Sequence, residues 1–211
     1  GGQVTAENCV FYDNPSWTIY VRRPNSRLTL VNSTVVDSGN GLLTRGDSWG
    51  ATVVNCIFTD LNGAISRSTS NGTDNVILVA NSLFHNNNYD AGGTTSGIYD
   101  LGGNISEDAD LGGVAGTDTD PMFVTLPGQD YGYILGLGSQ AIDAGLTTDS
   151  TPAFDVFRLA RDASPDIGAQ EYQASGLAPI ILSQPQNLVV DPGDAATFMV
   201  GAIGSPLLVY Q

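Results

Sequence analysis

Apolar and polar residues alternate over short stretches that recur along the first hundred residues of this chain. Four ten-residue segments repeat the same order of residue types, and each has an Asn at its fifth position. Alternation over so few residues, with many β-branched side chains, predicts short β-strands, and no stretch has a helical period. The segments are VTAENCVFYD (4–13), LTLVNSTVVD (28–37), ATVVNCIFTD (51–60) and ILVANSLFHN (77–86).

The Asn residues of these segments define a repeat. Asn8, Asn32, Asn55 and Asn81 are 24, 23 and 26 residues apart, and Asn104 extends the series by another 23. A second, shorter apolar stretch follows most segments after a turn. A unit of this size cannot bury its own apolar face, so we expect the units to stack about 4.8 Å apart, with equivalent residues in columns. The shorter stretches are 19–21, 42–43, 64–65 and 98–99.

These repeats resemble the right-handed parallel β-helix of pectate-lyase-like proteins, over residues 4 to about 103. The resemblance implies an all-β solenoid in which Asn8, Asn32, Asn55 and Asn81 form a structural ladder of stacked side-chain amides. A leucine-rich repeat has a similar period, but its several fixed Leu positions are absent here.

The segment after the repeats resembles the choice-of-anchor Q region of bacterial surface β-helix proteins. Its motifs are DPMF (120–123), GSQAIDAG (138–145), a stretch from Asp155 to Arg161, and PDIGAQEY (165–172), although Gln140 and the pair 156–157 depart from the usual pattern. An uncapped solenoid exposes unpaired backbone groups, so we expect this region to close the open end of the helix. A charged network would fix this cap. Its expected members are Asp143, Asp155, Arg158, Arg161, Asp166 and Glu171.

The last part of the chain is similar to the opening strands of an immunoglobulin-like domain. It contains a Gln-Pro step followed by alternating apolar residues, and it is too short for a sandwich of about 100 residues. The predicted organisation is therefore β-helix turns over 1–120, a capping region over 121–172, a linker over 173–178 and a partial immunoglobulin-like domain over 179–211. The chain reads as a fragment of a longer multidomain protein in which it is a monomer.

Charge and composition exclude several partners. Acidic residues number 22 against 7 basic ones, giving a net charge of −15, and every basic residue is Arg. Nucleic-acid binding requires a basic patch that replaces counterions, and an anionic membrane surface is disfavoured for the same reason. The apolar runs are too short for membrane insertion.

The two cysteines fall in one column, two turns apart. Strand spacing places the Cα atoms of Cys9 and Cys56 about 9–10 Å apart, which is too far for a disulfide. We therefore predict two free, mostly buried thiols.

An arginine ladder is the strongest functional feature of the sequence. Arg45 and Arg67 follow equivalent apolar stretches, and Arg22 precedes Arg45 by 23 residues. Stacked on one exposed face, the three side chains would hold an anionic polysaccharide, unless neighbouring acidic residues such as Asp47 and turn carbonyls occupy them. In the polar loop 86–103, Tyr89 is a further candidate for contact with a sugar.

Acidic residues concentrate between positions 104 and 120. Clustered carboxylates bind Ca²⁺ through six to eight oxygens, but the spacing matches neither an EF-hand nor a calcium β-roll. The alternative is a solvated acidic loop. The candidate ligands are Asp108, Asp110, Asp118 and Asp120.

These features favour a structural or glycan-contacting module of a large secreted or cell-surface bacterial protein, with no catalytic site evident in this chain. The bacterial, extracellular setting is what the resemblance implies. The alternative is a polysaccharide lyase that acts by β-elimination along the Arg face, where arginine or Ca²⁺ would neutralise the uronate carboxylate and a base would take the adjacent proton. Aligned Asp13, Asp37 and Asp60 are expected to shape turns rather than catalyse.

Overall fold

The computed structural model describes residues 2–46, 48–69, 75–124, 133–173, 180–191 and 193–203, and its structure is almost entirely β. No helix in these ranges is long and apolar enough to span a membrane. Two short 3-10 turns occur at Thr95–Gly97 and Ala109–Leu111. The strands are β1 (Gln3–Glu7), β2 (Val10–Tyr12), β3 (Trp17–Val21), β4 (Arg27–Val31), β5 (Thr34–Arg45), β6 (Gly50–Val54), β7 (Ile57–Ser68), β8 (Val76–Ala80), β9 (Leu83–His85), β10 (Ala91–Gly93), β11 (Ile98–Asp100), β12 (Phe123–Val124), β13 (Ile134–Leu135), β14 (Ile180–Ser183) and β15 (Gly201–Ile203).

Parallel stacking of the repeats forms a β-solenoid, as the sequence predicted. In the first sheet the order is β1-β4-β6-β8-β11, and all its pairings are parallel. Val4 pairs with Leu28, Leu28 with Ala51, Ala51 with Ile77, and Ile77 with Ile98. The coils are therefore 24, 23, 26 and 21 residues long.

The second sheet is built on the long strands β5 and β7. These two strands pair with each other in parallel; β5 also pairs in parallel with β2 and β3 of the preceding coil, and β7 with β9 and β10 of the following coil. Ile19, Leu42, Ile65 and Ala91 form one column of this sheet. The prediction that Ile98-Tyr99 closes this column was wrong, because these residues form β11 of the first sheet.

The core lies inside the coils and consists of columns of equivalent side chains. Leu30, Val53 and Val79 are fully buried in consecutive coils, and the rings of Phe58 and Phe84 stack 5.4 Å apart. Each such side chain contributes about 2–3 kcal/mol by leaving water. The predicted apolar positions before and after the Asn are thus the inward-facing positions of the solenoid.

Asn and Asp residues turn the chain at two corners of each coil. All four Asn of the predicted ladder have φ between 43° and 53°, and the polar residue five positions later has φ between 45° and 57°. Asn and Asp tolerate this left-handed conformation better than other residues with a Cβ. The fifth coil differs from the prediction: Gly103 (φ 73°) occupies the corner, and Asn104 lies one position later. There Asn104 accepts a hydrogen bond from the Ser82 N–H at 2.9 Å, the role that Ser33 and Ser82 play for the cysteine N–H groups.

The acidic stretch after β11 closes one end of the solenoid. Leu111, on the second 3-10 turn, is fully buried and belongs to the main core cluster. Ser106 donates a hydrogen bond to Asp90 at 2.7 Å, and Asp108 accepts one from the Ala91 N–H at 3.3 Å. This stretch is therefore structural and performs the capping that the sequence assigned to residues 121–172.

Residues 133–173, which we call the lateral segment, lie instead along the side of the coils. Ile167 and Ala141 pack in a second apolar cluster with Ile57 and Leu83, which point out of the solenoid. The N–H of Gly168 donates to the carbonyl of Asn55 at 2.8 Å. We expected this segment to cover the end of the β-helix. It covers a flank of several coils instead, because the corner Asn residues offer it hydrogen-bonding groups there.

The last described residues contain two strands. β14 and β15 pair antiparallel, with a register shift between Ile181 and Ser183. The predicted linker falls outside the described residues apart from Gln173, and 204–211 also lies outside them. The domain boundaries and the immunoglobulin-like assignment stay predictions.

Candidate functional site

The Asn column is the surface on which the lateral segment docks. Asn55 donates to the Asn32 side chain at 3.3 Å, which is the stacked-amide contact the ladder prediction requires. The other side-chain hydrogen bonds of these Asn residues are made with the lateral segment. Asn32 donates to the carbonyl of Asp166 at 3.0 Å, and Asn81 to that of Ala144 at 3.4 Å. Buried amides are costly unless bonded, so the lateral segment satisfies the column.

Asn55 is the best-connected member of the column. Its Nδ2 donates to the carbonyl of Leu146, and its Oδ1 accepts from the N–H of the same residue, both at 2.8 Å. Asn8, at the other end, donates to the carbonyl of Phe154 at 2.5 Å and accepts from Arg161 at 3.1 Å. One segment of chain thus binds corners of four successive coils.

A second ladder of side-chain amides lies on the outer surface, and we did not predict it from the sequence. Asn62 donates to Asn40 at 3.1 Å, and Asn88 donates to Asn62 at 3.0 Å. The signal was present in the sequence, since these Asn residues are 22 and 26 residues apart and the first two precede Gly. Packing demands the second glycine: a Cβ at Gly63 would lie 2.1 Å from the ring of Tyr89.

The predicted ladder of three arginines is not formed. The register pairs Arg67 with Thr44 and Arg45 with Ser68, so Arg67 is one position out of the column that contains Arg45. Arg67 is 6% exposed, and its Nε donates to the carbonyl of Asn75 at 2.5 Å. Its guanidinium packs beside Gly97, where an added Cβ would lie 2.3 Å from Cζ. The spacing of 22 residues, one short of the coil, accounts for the burial of Arg67 in a structural role.

Arg22 and Arg45 meet at Tyr20. Tyr20 is 40% exposed, and Arg45 donates to its hydroxyl at 3.2 Å. The Cζ of Arg22 lies 6.0 Å from the centre of the same ring, within range of a cation–π contact. This hydrogen bond raises the pKa of Arg45, which is fully charged in any case. We call the three residues the Tyr20 surface.

A cavity of about 390 Å³ adjoins the Tyr20 surface. Its walls are mainly apolar, with Ile19, Val21 and Leu28 among them, and Arg23 and Arg27 stand at its rim. Both arginines are exposed, and neither forms an ion pair with a carboxylate in the described part of the chain. Positive charge is thus concentrated at one place on a protein of net charge −15.

Tyr89 lies away from the Tyr20 surface and is half-buried. Its ring covers Gly63 and Gly92, and its hydroxyl accepts from Ser66 at 3.5 Å. The structure therefore gives Tyr89 a packing role. Its contact with a sugar stays a prediction.

The candidate calcium ligands mostly bond backbone amides in turns. Asp108 accepts from the Asp110 N–H at 2.9 Å, Asp118 from the Asp120 N–H at 3.1 Å, and Asp120 from the Met122 N–H at 2.6 Å. Among the described residues, no three His, Cys, Asp or Glu side chains form a group that could hold a metal ion. Calcium binding remains a prediction from the sequence.

The charges of the lateral segment form a buried cluster rather than a set of ion pairs. Arg161 donates to Glu171 at 2.7 Å, and each side chain is 2% exposed. Asp155 and Asp166, also buried, accept only backbone N–H groups. Arg158 and Asp143, expected in the same network, are exposed. The sequence thus located the cluster but not the roles of its members.

Both cysteines are free, as predicted. Cys56 is completely buried, and burial raises the pKa of its thiol to about 12. Burial also raises the pKa of Cys9, which is half-buried. His85, the single His of the chain, shares a column with Tyr12, Val36 and Thr59 and forms a hydrogen bond with Thr119 at 2.9 Å.

No family model, curated protein or solved structure matches the chain.

Proposed function

We propose that this chain is a glycan-contacting structural module of a secreted or cell-surface bacterial protein, and that the Tyr20 surface binds an anionic polysaccharide. The observation that carries the proposal is the pair of guanidinium groups that flank an exposed tyrosine ring, Arg22 at 6.0 Å from the ring centre and Arg45 at 3.2 Å from the hydroxyl.

The chemistry of the Tyr20 surface suits an acidic sugar. The C–H face of a pyranose buries apolar area against an aromatic ring, while a guanidinium pairs with a carboxylate or sulfate through two parallel hydrogen bonds. Arg23 and Arg27 extend the positive surface along the cavity. A sugar chain longer than one residue would contact both parts.

The likeness to pectate-lyase-like β-helices supports a carbohydrate ligand. The motifs that resemble the choice-of-anchor Q region and the start of an immunoglobulin-like domain support an extracellular parent protein of several domains. In this setting the solenoid supplies a rigid surface, and the lateral segment, which packs on its flank, holds neighbouring coils in register.

The test is binding of polygalacturonate and of a sulfated glycan, measured by calorimetry, with a neutral glucan as the comparison. The Arg22→Ala and Tyr20→Ala variants are expected to bind about ten- to hundredfold more weakly, the effect of losing a charge-assisted hydrogen bond or a buried ring. Arg158→Asn is the matched control: it removes an exposed arginine of the lateral segment, and Asn tolerates the positive φ of 65° there.

Two outcomes would contradict the proposal. One is the absence of binding to every acidic glycan at low salt, and the other is equal affinity of the wild type and the Tyr20 surface variants. The same incubations, followed by ultraviolet absorbance with and without Ca²⁺, test the lyase alternative. A rise caused by unsaturated product and lost in Arg45→Ala would make the protein a lyase.

A further inference from the structure

The interface between the lateral segment and the Asn column contains more buried negative charge than positive charge. Three carboxylates are buried there, those of Asp155, Asp166 and Glu171, and one guanidinium, that of Arg161. Arg161 is committed to Glu171, to Asn8 and to the carbonyl of Gly168 at 3.0 Å. Burying unpaired charge is expensive, and a carboxyl in such a place keeps its proton to a higher pH.

Asp166 connects the parts of the lateral segment that dock. Its Oδ1 accepts from the Asp143 N–H at 2.8 Å, and its Oδ2 accepts from the Tyr172 N–H. Its own carbonyl accepts from Asn32 of the Asn column, and its N–H donates to Glu171 at 2.9 Å. The residue after Asp143 is held by Asn81. The charge on Asp166 therefore acts on docking contacts in two coils.

The groups around Asp166 favour its neutral form. Burial is the main cause that raises its pKa, to about 7, and the negative charges of Glu171 and Asp143 add to it against two backbone hydrogen bonds. On the solenoid side the side chain of Asn32, which does not titrate, bonds the carbonyl of Asp166. Arg161 approaches only the backbone carbonyl of Asp166, at 3.5 Å.

We propose that the docking of the lateral segment on the Asn column is a proton-controlled lock, closed while Asp166 holds a proton and loosened when that carboxyl ionises. The segment then protects the flank of the solenoid in mildly acidic surroundings and releases it more readily at neutral and alkaline pH.

The direction of the pH dependence follows from the linkage between protonation of Asp166 and docking. A carboxyl whose pKa is higher in the docked state than in the released state, where it returns to about 3.9, stabilises docking only in its protonated form. The contribution of Asp166 to docking is therefore complete below about pH 4 and is lost as the pH rises to about 7. Above that value the carboxyl is ionised in both states, and docking no longer changes with pH.

Hydrogen exchange followed by mass spectrometry tests this lock, because protection factors correct for the intrinsic pH dependence of exchange. Peptides from 143–172 report on docking, and peptides from β4, β6 and β8 report on the solenoid. We expect the protection of 143–172 to fall by up to about tenfold per pH unit between pH 4.5 and 7 and then to level off. Peptides containing Asp90 are left out of the reference, since burial raises the pKa of that carboxyl as well.

Asp166→Asn removes the titrating group and is expected to abolish the slope in 143–172. Asp162→Asn is the matched control: Asp162 lies in the same segment, is exposed and accepts from the Ser164 N–H at 2.8 Å, so its variant keeps the slope. The wild-type profile alone is decisive if Asp166→Asn fails to fold. Protection of 143–172 that is flat with pH, rises with pH, or follows the solenoid peptides overturns the proposal.

Discussion

Arg161 and Glu171 form a buried ion pair, 2.7 Å between Nη1 and Oε2, on the segment that flanks the solenoid. The other terminal nitrogen of Arg161 donates to Asn8, 153 residues away in sequence, at 3.1 Å. One guanidinium therefore links the charge cluster of the lateral segment to the first coil.

Removal of this guanidinium is expected to destabilise the protein strongly. In Arg161→Met the carboxylate of Glu171 stays buried without its cation, which costs about 3–5 kcal/mol. In Glu171→Gln the guanidinium of Arg161 stays buried without its anion, and one amide oxygen cannot replace both carboxylate oxygens, which accept the N–H groups of Asp162 and Asp166, so we expect a loss of the same size, about 3–5 kcal/mol. Urea unfolding followed by circular dichroism measures both values, and Arg158→Asn serves as the control at an exposed arginine. Equal stability of Arg161→Met and the wild type would show that the pair contributes nothing net.

A second prediction concerns the corner at Asn55, where the side chain and the backbone contribute separately. Asn55→Ala loses the two bonds to Leu146 and the one to Asn32, and it places Ala at a φ of 53°. We expect a loss of about 3–4 kcal/mol, of which about 1 kcal/mol is backbone strain. Asn55→Gly loses the same bonds without the strain and should recover about 1 kcal/mol. Thermal and urea unfolding of the two variants separate the loss of hydrogen bonds from the backbone strain. Identical stabilities of the two variants would mean that the corner stores no strain.

The strands and core were predictable from the sequence because a solenoid repeats one local rule. An apolar residue two positions before each corner Asn always points inward, as Leu30, Val53 and Val79 do. Side-chain alternation and coil length together fix these columns, and neither depends on distant parts of the chain.

The predictions for Arg67 and Asn104 were wrong because each residue lies one position away from the column in which its spacing placed it. Arg67 is 22 residues from Arg45, one short of the coil length, so the strand alternation sends it inward while Arg45 points out. Asn104 keeps the spacing, yet Gly103 takes the corner, because glycine adopts a positive φ without cost. A shift of one residue reverses the face of a side chain, and spacing alone does not reveal it.

The position of the lateral segment could not be deduced from its own sequence. It docks largely through backbone groups, such as the N–H of Gly168 and the carbonyls of Ala144 and Leu146, which every residue type carries. The partner groups are the corner amides, and the sequence reading had assigned those to one another. Because the backbone N–H and C=O groups make these contacts, the amino-acid composition of the segment does not indicate where it docks.

A third prediction concerns the capped end of the solenoid. Leu111 is fully buried in the main core, so Leu111→Ala should cost about 2–5 kcal/mol by opening a cavity. Leu101→Ala is the matched control, because Leu101 is 59% exposed and its truncation should change stability by less than about 0.5 kcal/mol. Urea unfolding of the two variants measures the difference. A Leu111→Ala variant as stable as Leu101→Ala would show that the stretch around Leu111 does not close the core.

The last prediction concerns the two thiols, which share a column but differ in burial. At pH 9 a thiol of pKa about 12 is ionised in about one molecule in a thousand, and Cys56 also lacks solvent access. Native protein treated with iodoacetamide should therefore be alkylated first at Cys9, with Cys56 modified at least tenfold more slowly. Mass spectrometry of the two peptides gives the rates, and protein unfolded in urea, where both thiols should react alike, is the control. Comparable rates in the native protein would mean that the third coil, which contains Cys56, opens readily, and would contradict the stability that the stacked core is expected to confer.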